Sequence, residues 1–365
     1  MRRRRPKPLI AFAAHASPLA GPIDAYQEYL SREYAVDLRR VNHPLDSYSG
    51  NVTRVLDGRG LYRPIKRYQI GQLNLVIDFV MTAIVMLVWR PDVIVAANNF
   101  DTCATLVSKL RRRPPQVVYF AADFSKHRFK SGALDAVYRV CEIVALRFAD
   151  VVVSNTKRSE RERIMLGLNP SKSVVVPNGA DVGGRTVVQR GIRGDAFIFI
   201  GSVTREHGLY EMIEVLAPMM SEITIVGDGD DWDRVVQLLA SLPVKKFLYR
   251  RIVRDEVLDL LISFSGFGLA PYNDDSDWTF YCSPLKVSEY LACGVPVIVS
   301  TVPEVASVIE SNRLGIVYHH LRTSELKDRM SSFDTVGFSE RAARFADANR
   351  PAALYRSIPI RLIGD

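Results

Sequence analysis

Residues 268–301 read GLAPYNDDSDWTFYCSPLKVSEYLACGVPVIVST. An apolar run ends in Ala270-Pro271-Tyr272, and an acidic, aromatic loop follows. The sequence from Ser283-Pro284-Leu285-Lys286 onward then has a helical pattern. Pro284 suits a first helical position, where a missing N–H would be unpaired anyway. The helix carries Leu285, Val287, Glu289, Tyr290 and Leu291 and stops at Gly294-Val295-Pro296, because glycine takes the left-handed cap and proline cannot continue. A second apolar strand, Val297–Val299, follows at once. The order strand, loop, helix, strand is a βαβ unit, and open parallel sheets bind ligands at the carboxyl end of such strands.

The loop has suitable chemistry for a diphosphate. The backbone N–H groups of Ser283, Leu285 and Lys286 lie at the positive end of the helix dipole, and the Lys286 ammonium adds a full charge. Glu289, one turn on, is placed to accept hydrogen bonds from a ribose diol. The same spacing also suits an ordinary capped helix with an exposed Lys and Glu.

A chain of 365 residues is long enough for two domains with proper cores. Its four cysteines, Cys103, Cys141, Cys282 and Cys293, show no CxxC and no metal-like spacing with histidine. This fits a reducing cytosol rather than a disulfide framework. The net charge of +8 is unevenly placed: residues 1–180 hold 28 Lys/Arg against 15 Asp/Glu, and residues 181–365 hold 20 against 25. The basic clusters Arg2–Arg5, Arg63-Lys66-Arg67, Arg111–Arg113 and Lys126-Arg128-Lys130 suit an anionic membrane surface. No nucleic-acid motif accompanies them, so no nucleic-acid partner is expected.

Arg2–Arg5 precede a short apolar run that is cut by His15 and Pro18, which reads as a basic tail entering the first strand rather than a signal peptide. Ile70–Trp89 approaches the length of a membrane span. It holds Gln72, Asn74 and Asp78 in its first half, and it reads as a core or interfacial helix.

In the front half, strand patterns at Leu9–Ala14, Val36–Val41, Val93–Ala97, Val117–Ala121, Val151–Ser154 and Val174–Val176 alternate with helix patterns at Ile23–Glu33, Gln69–Trp89, Asp101–Arg111 and Ser131–Phe148. This rhythm predicts a doubly wound α/β domain. Residues 42–68 are polar and read as a long irregular stretch. The turn at Pro177-Asn178-Gly179-Ala180-Asp181 marks the expected boundary, giving domains at 1–180 and 181–337. In the second half, Ala196–Ile200, Ile223–Val226, Phe247–Tyr249, Phe267–Ala270, Val297–Val299 and Gly315–Val317 read as strands, with glycine loops at Gly201–Gly208 and Gly227–Gly229.

The PNGxD linker, the Gly loop opening a helix, the VGDG turn and APY…SPLKVSEYLACGVPVI resemble the C-terminal half of GT-B glycosyltransferases, the superfamily that includes glycosyltransferase family 4. The match runs over roughly Val174 to Val305. The resemblance implies an α/β GT-B fold, two Rossmann-like doubly wound domains facing across a cleft. The sugar nucleotide is held by the second domain, no metal or other cofactor is needed, and helices in 338–365 return to the first domain. Three positions depart from the family-4 pattern. Tyr281 stands where the first of two glutamates is usual, and Ser202 and His207 replace an Arg and a Lys in the Gly loop. What remains is more similar to GumK-type bacterial glucuronosyltransferases, which build exopolysaccharide on a lipid carrier at the inner face of the membrane. Val118–Ser125 resembles the strand and loop that bear the catalytic Asp of those enzymes, which places the base at Asp123.

The resemblance then implies these roles: donor contacts at Gly201, Arg205, His207, Tyr272, Ser283, Pro284, Leu285, Lys286 and Glu289; an inverting base at Asp123; and acceptor-side candidates at His15, Asn98 and Asn99. The expected partners are a nucleotide sugar, read as a UDP-sugar with UDP-glucuronate among the candidates, a lipid-linked saccharide acceptor and an anionic membrane, with the protein peripheral on the cytoplasmic face. Two rival readings keep the same fold: a sugar-nucleotide epimerase, and a non-catalytic subunit that binds membrane or a partner.

Overall fold

The computed structural model describes residues 7–15, 21–44, 52–56, 62–66, 73–121, 123–129, 131–187, 191–250, 252–319 and 322–362. The Arg2–Arg5 tail, Arg67 and Lys130 lie outside them. The chain divides into two compact units, residues Met1–Val176 with Tyr355–Asp365, and Pro177–Leu354.

The first unit contains, in order, β1 (Leu9–His15), α1 (Pro22–Glu33), β2 (Asp37–His43), β3 (Val52–Leu56), β4 (Tyr62–Lys66), α2 (Leu73–Trp89), β5 (Val93–Ala96), α3 (Asn99–Leu106), β6 (Gln116–Ala121), α4 (Gly132–Phe148), β7 (Val151–Ser154), α5 (Lys157–Met165) and β8 (Ser173–Val175). Its sheet order is β4-β3-β2-β1-β5-β6-β7-β8. All pairs from β2 to β8 are parallel, and β5 and β7 are buried along their whole length, as apolar strands covered on both faces must be. The stretch expected to be irregular instead adds two antiparallel strands, β3 and β4, to this edge. Only Thr53 and Leu56 of β3 are buried, so these edge strands lack the apolar run that marks a covered strand. Helix α2 spans 17 residues, about 25 Å at 1.5 Å per residue. No described helix is long and apolar enough to cross a membrane.

The second unit contains β9 (Ala196–Ile200), α6 (Leu209–Leu216), β10 (Glu222–Val226), α7 (Trp232–Ala240), β11 (Lys245–Tyr249), α8 (Arg254–Ser263), β12 (Phe267–Ala270), α9 (Asp277–Tyr281), α10 (Leu285–Ala292), β13 (Val297–Ser300), α11 (Val305–Ser311), β14 (Gly315–Tyr318), α12 (Thr323–Ser331), α13 (Thr335–Ala348) and α14 (Pro351–Tyr355), the last ending at the unit boundary. Its all-parallel sheet runs β11-β10-β9-β12-β13-β14. Phe338 and Ala342 of α13 are buried in this unit's core with Leu291 and Val295. The segment that rejoins the first unit is therefore shorter than the expected 338–365: it begins at Tyr355. In both sheets the strand order reverses beside the first strand, at β1/β5 and at β9/β12. A doubly wound sheet opens a ligand crevice at such a point.

Candidate functional site

In the second unit the crevice at β9/β12 gathers the residues that follow those two strands. Gly201 ends β9 with φ +123°, and a Cβ there would lie 3.1 Å from the Lys286 Nζ. Gly227 follows β10 with φ +154°, and a Cβ there would meet the Gly201 carbonyl oxygen at 1.8 Å. Two glycine backbones thus pack against one another under the lysine, and neither position admits a side chain.

Lys286 is only 7% exposed, and its ammonium has no hydrogen-bond partner among the described residues. It lies 4.0 Å from the centroid of Phe199 and 5.2 Å from that of Tyr272, within cation–π range of both rings. Burial lowers its pKa from 10.5 to about 7, against the attraction of Cys282 and Glu289. An unpaired buried cation is costly unless a ligand completes it. It sits in the first turn of α10, where free N–H groups also favour an anion.

Around it, the His207 ring lies 5.2 Å from Tyr272 and 5.4 Å from Trp278. Burial and the neighbouring Lys286 charge lower the His207 pKa to about 2, so the ring is neutral at pH 7. Its Nδ1 meets the Thr204 hydroxyl at 3.0 Å.

The other expected donor residues take different positions. Pro284 is the N-cap of α10, not its first helical residue, because its ψ of 109° is extended. The Ser283 hydroxyl accepts the Asn178 N–H at 2.9 Å, and its carbonyl accepts the Asn178 amide at 2.7 Å. Ser288 in turn donates to the Asn178 carbonyl at 2.7 Å. The PNG linker therefore clamps the start of α10, and the Ser283 hydroxyl has a structural partner. Leu285 begins the helix. Glu289 is buried 3.5 Å from Arg254 of α8, and burial raises its pKa. Arg205 stays exposed, bonded to Asp275 at 3.0 Å. Phe199, Trp278, Arg254 and Asn178 are parts of the site that sequence reasoning missed. Only Asn178 had a visible signal, its place in the linker motif.

In the first unit, the β1/β5 switch point holds a charge cluster. His15 Nδ1 is 3.0 Å from Asp101 and its Nε2 is 3.2 Å from Asp78. Asp78 also lies 3.0 Å from His43 Nδ1, and His43 Nε2 meets Thr82 at 2.8 Å. Burial alone would lower the His15 pKa, but Asp101 and then Asp78 reverse it, pushing it up to about 10. Asp78 and Asp101 are both held below the usual carboxylate range despite burial, Asp78 through hydrogen bonds to His15 and His43, Asp101 mainly through the charge of His15. Asn98 caps α3, accepting the Asp101 N–H and donating to its carboxylate at 2.6 Å. Asn99 is instead buried away from the cluster and donates to the Tyr138 carbonyl at 3.0 Å. With both ring nitrogens held against carboxylates, His15 is fixed in orientation and its charged form is favoured.

Asp123 lies in the loop after β6 with its residue exposed. Its backbone carbonyl accepts Arg163 Nη2 at 2.7 Å. Arg163 is fully buried, paired with Glu142 at 3.0 Å and stacked 5.2 Å from Phe124. The loop carrying the carboxylate is thus tied to a rigid core arginine.

Two family models match. "Glycosyl transferase 4-like domain" covers residues 25–179, and "Glucosyltransferase 3-like, C-terminal domain" covers residues 242–351. No match was found among curated proteins. Solved structures that this chain resembles include Anabaena HepE in complex with UDP, 15% identical over 96% of this chain and 98% of that one with a TM-score of 0.62. Sucrose-phosphate synthase from Thermosynechococcus elongatus is 14% identical over 96% and 99%, with a TM-score of 0.70. The lipopolysaccharide outer core galactosyltransferase WaaB is 14% identical over 95% and 97%, with a TM-score of 0.65. The chain has the α/β fold of the GT-B glycosyltransferases, built on two Rossmann-like sheets, and each of its two units carries a match to a glycosyltransferase domain.

Proposed function

We propose that this chain transfers a sugar from a UDP-sugar to a hydroxyl of a lipid-linked saccharide at the cytoplasmic face of a membrane. The observation that carries the reading is Lys286: a buried ammonium without a hydrogen-bond partner among the described residues, at the start of α10, above the Gly201 turn at the β9/β12 switch point. A nucleoside diphosphate supplies the missing anion. Structural neighbours crystallised with UDP, with UDP-glucose and with UDP-2-fluoro glucose support a uridine nucleotide.

In this reading Lys286 and the α10 N–H groups receive the diphosphate, Tyr272 and His207 pack beside it, and Arg254 sets the orientation of Glu289 toward the ribose. Asp123 accepts the proton of the acceptor hydroxyl. The acceptor oxygen bonds to the anomeric carbon, the bond from that carbon to the diphosphate oxygen breaks, and the diphosphate leaves with the electron pair. The developing charge is met by Lys286 and the helix dipole, a contribution on the order of 3 kcal/mol for one well-placed donor. Inversion at the anomeric carbon follows from a single displacement assisted by one base.

The test is a set of labelled UDP-sugars, UDP-glucuronate among them, incubated with the protein and membrane extract, with the label followed into lipid. Lys286→Ala is expected to abolish UDP binding by calorimetry. Asp123→Asn is expected to keep UDP binding and reduce turnover by about 10²–10⁴-fold. UDP binding by Lys286→Ala at wild-type affinity would sink the donor site, and near-normal transfer by Asp123→Asn would remove the inverting assignment.

A further inference from the structure

The outer face of the first unit's helical layer carries a surface that none of the chemistry above uses. Helices α2, α3 and α4 pack side by side. On α2 the buried positions are Asp78, Thr82 and Met86, four residues apart, so one narrow stripe faces inward. The opposite ladder is apolar and in water: Val76 is 59% exposed, Val80 49%, Ile84 54% and Val88 71%. On α4, Val140 and Ile143 are likewise exposed. Between the helices runs an apolar groove of about 530 Å³ lined by Phe79, Leu106, Val144 and Phe148. A contiguous apolar surface of this kind marks an interaction site, whereas scattered single residues do not.

Its charges identify the occupant. The carboxylates of α2, α3 and α4 are Asp78, Asp101, Asp135 and Glu142, and all four are buried. Five arginines beside the apolar residues are exposed: Arg90 next to Val88, Arg112 and Arg113 after the exposed Leu110, Arg139 beside Val140, and Arg147 stacked over Phe148. Lys109, in the groove lining, is paired with Asp150 at 2.7 Å. An apolar face with exposed arginines at its margin, and with the carboxylates of its three helices withdrawn, is complementary to a layer of acyl chains under anionic headgroups. A second copy of this chain fits poorly, because pairing this face with itself would oppose like charges.

We propose that α2 and α4 dock the first unit onto an anionic phospholipid bilayer. Helix α2 lies in the interface, with Val76, Val80, Ile84 and Val88 among the acyl chains and the flanking arginines on the headgroups. This deepens the lipid-linked acceptor reading by naming the surface that meets the lipid. Its residues belong to the first unit and those of the donor pocket to the second, so docking and donor binding can fail independently.

Flotation of the full chain with vesicles of phosphatidylcholine alone, and of an equal mixture with phosphatidylglycerol, tests it. The wild type is expected to float with the mixed vesicles, less so at high salt, and weakly with phosphatidylcholine. Val80→Asp with Ile84→Asp, both at exposed positions, is expected to lower partitioning by about tenfold or more. Arg112→Glu with Arg113→Glu is expected to erase the preference for phosphatidylglycerol. All variants are expected to bind UDP like the wild type, which separates this result from any failure of the donor site. The proposal is overturned if the wild type floats with neither vesicle, or if the aspartate pair leaves flotation unchanged. It is also overturned if the wild type is a dimer that the aspartate pair converts to monomer in sedimentation.

Discussion

Lys286 and His15 are both buried bases whose pKa values are displaced, but in opposite directions, and the signs give opposite pH behaviour. Lys286 falls from 10.5 to about 7 in the folded state because burial disfavours its charge. Between those values the unfolded chain holds the proton that the folded chain sheds, so this group's contribution to stability rises with pH across about 7 to 10.5 and is lost as pH falls through 7. Every tenfold change in proton affinity between the two states is worth about 1.4 kcal/mol. Lys286→Met, which keeps the stem and removes the charge, is expected to stabilise the protein by a few kcal/mol at pH 7 in urea titrations and to flatten this pH dependence. It is also expected to lose UDP affinity. In the wild type, UDP binding at pH 8 is expected to take up a proton, visible as a buffer-dependent binding enthalpy, because the diphosphate raises the lysine back toward its ordinary value. His15 behaves the other way. Its pKa rises from 6.5 to about 10 through Asp101 and Asp78 once the burial penalty is overcome, so its contribution is complete below pH 6.5 and lost as pH rises through about 10. His15→Gln leaves two buried carboxylates without their cation and is expected to cost about 3–5 kcal/mol at pH 7 in the same titration.

Among the elements, legibility followed burial on both faces. Strands such as β5 (VIVA) and β7 (VVVS) announce themselves because a parallel strand covered on both sides is a nearly unbroken apolar run. β3 and β4, the outermost pair of the sheet with β4 at its edge, escaped because their incompletely buried residues include Arg54 and Arg63, and the mixture reads as loop. Helix α9 escaped for a different reason. It is five residues long, too short for periodicity, and its fold depends on Thr279 donating its hydroxyl to the Asn273 carbonyl at 2.8 Å. The start of α10 and Lys286 were legible because helix-start chemistry is local. The ring of Phe199, His207, Tyr272 and Trp278 was not, because it forms only when β9, β12 and α9 meet at one sheet edge. The turn after β10 shows how such a meeting limits sequence choice: Gly227→Ala places a Cβ 1.8 Å from the Gly201 carbonyl at a φ of +154°. The Gly201 turn must then move, and with it the floor beneath Lys286. This substitution is expected to cost at least about 3 kcal/mol by chemical denaturation, more than the roughly 1 kcal/mol of a typical substitution, and to weaken UDP binding. Gly184→Ala, where a Cβ meets nothing within 4 Å, serves as the control because its φ of +77° is also positive but involves no collision.

At the scale of the molecule, two sheets were readable from the repeated strand–helix rhythm, but the path of the chain between the units was not. The motif PNGxD put the boundary at 180, whereas the first unit ends at Val176, because Asn178 and Gly179 already pack within the second unit against Ser283, Ser288, Asn349 and Leu354. The return is set by a single side chain. Tyr355 is buried in an aromatic cluster with ring centroids 5.0 Å from Tyr26, 5.9 Å from Tyr29 and 6.3 Å from Phe120, and its hydroxyl donates to the Pro22 carbonyl at 3.0 Å. Beyond it, the Gln116 amide donates to the Pro359 carbonyl at 2.9 Å and its oxygen accepts the Arg361 N–H at 2.7 Å. All of these partners belong to the first unit, so Tyr355, Pro359 and Arg361 stabilise a unit whose strands all lie before residue 177. No local pattern encodes that contact, since Tyr355 and Pro22 are 333 positions apart. Tyr355→Ala removes a fully packed ring, expected to cost about 3–5 kcal/mol, and the loss has an address. Hydrogen exchange is expected to accelerate in α1, β1 and β6, while β9, β12 and α10 keep their protection and UDP affinity stays near wild type. Equal acceleration in both sheets would mean that the units unfold as one cooperative body, and the ring would then be stabilising more than the sheet it packs on.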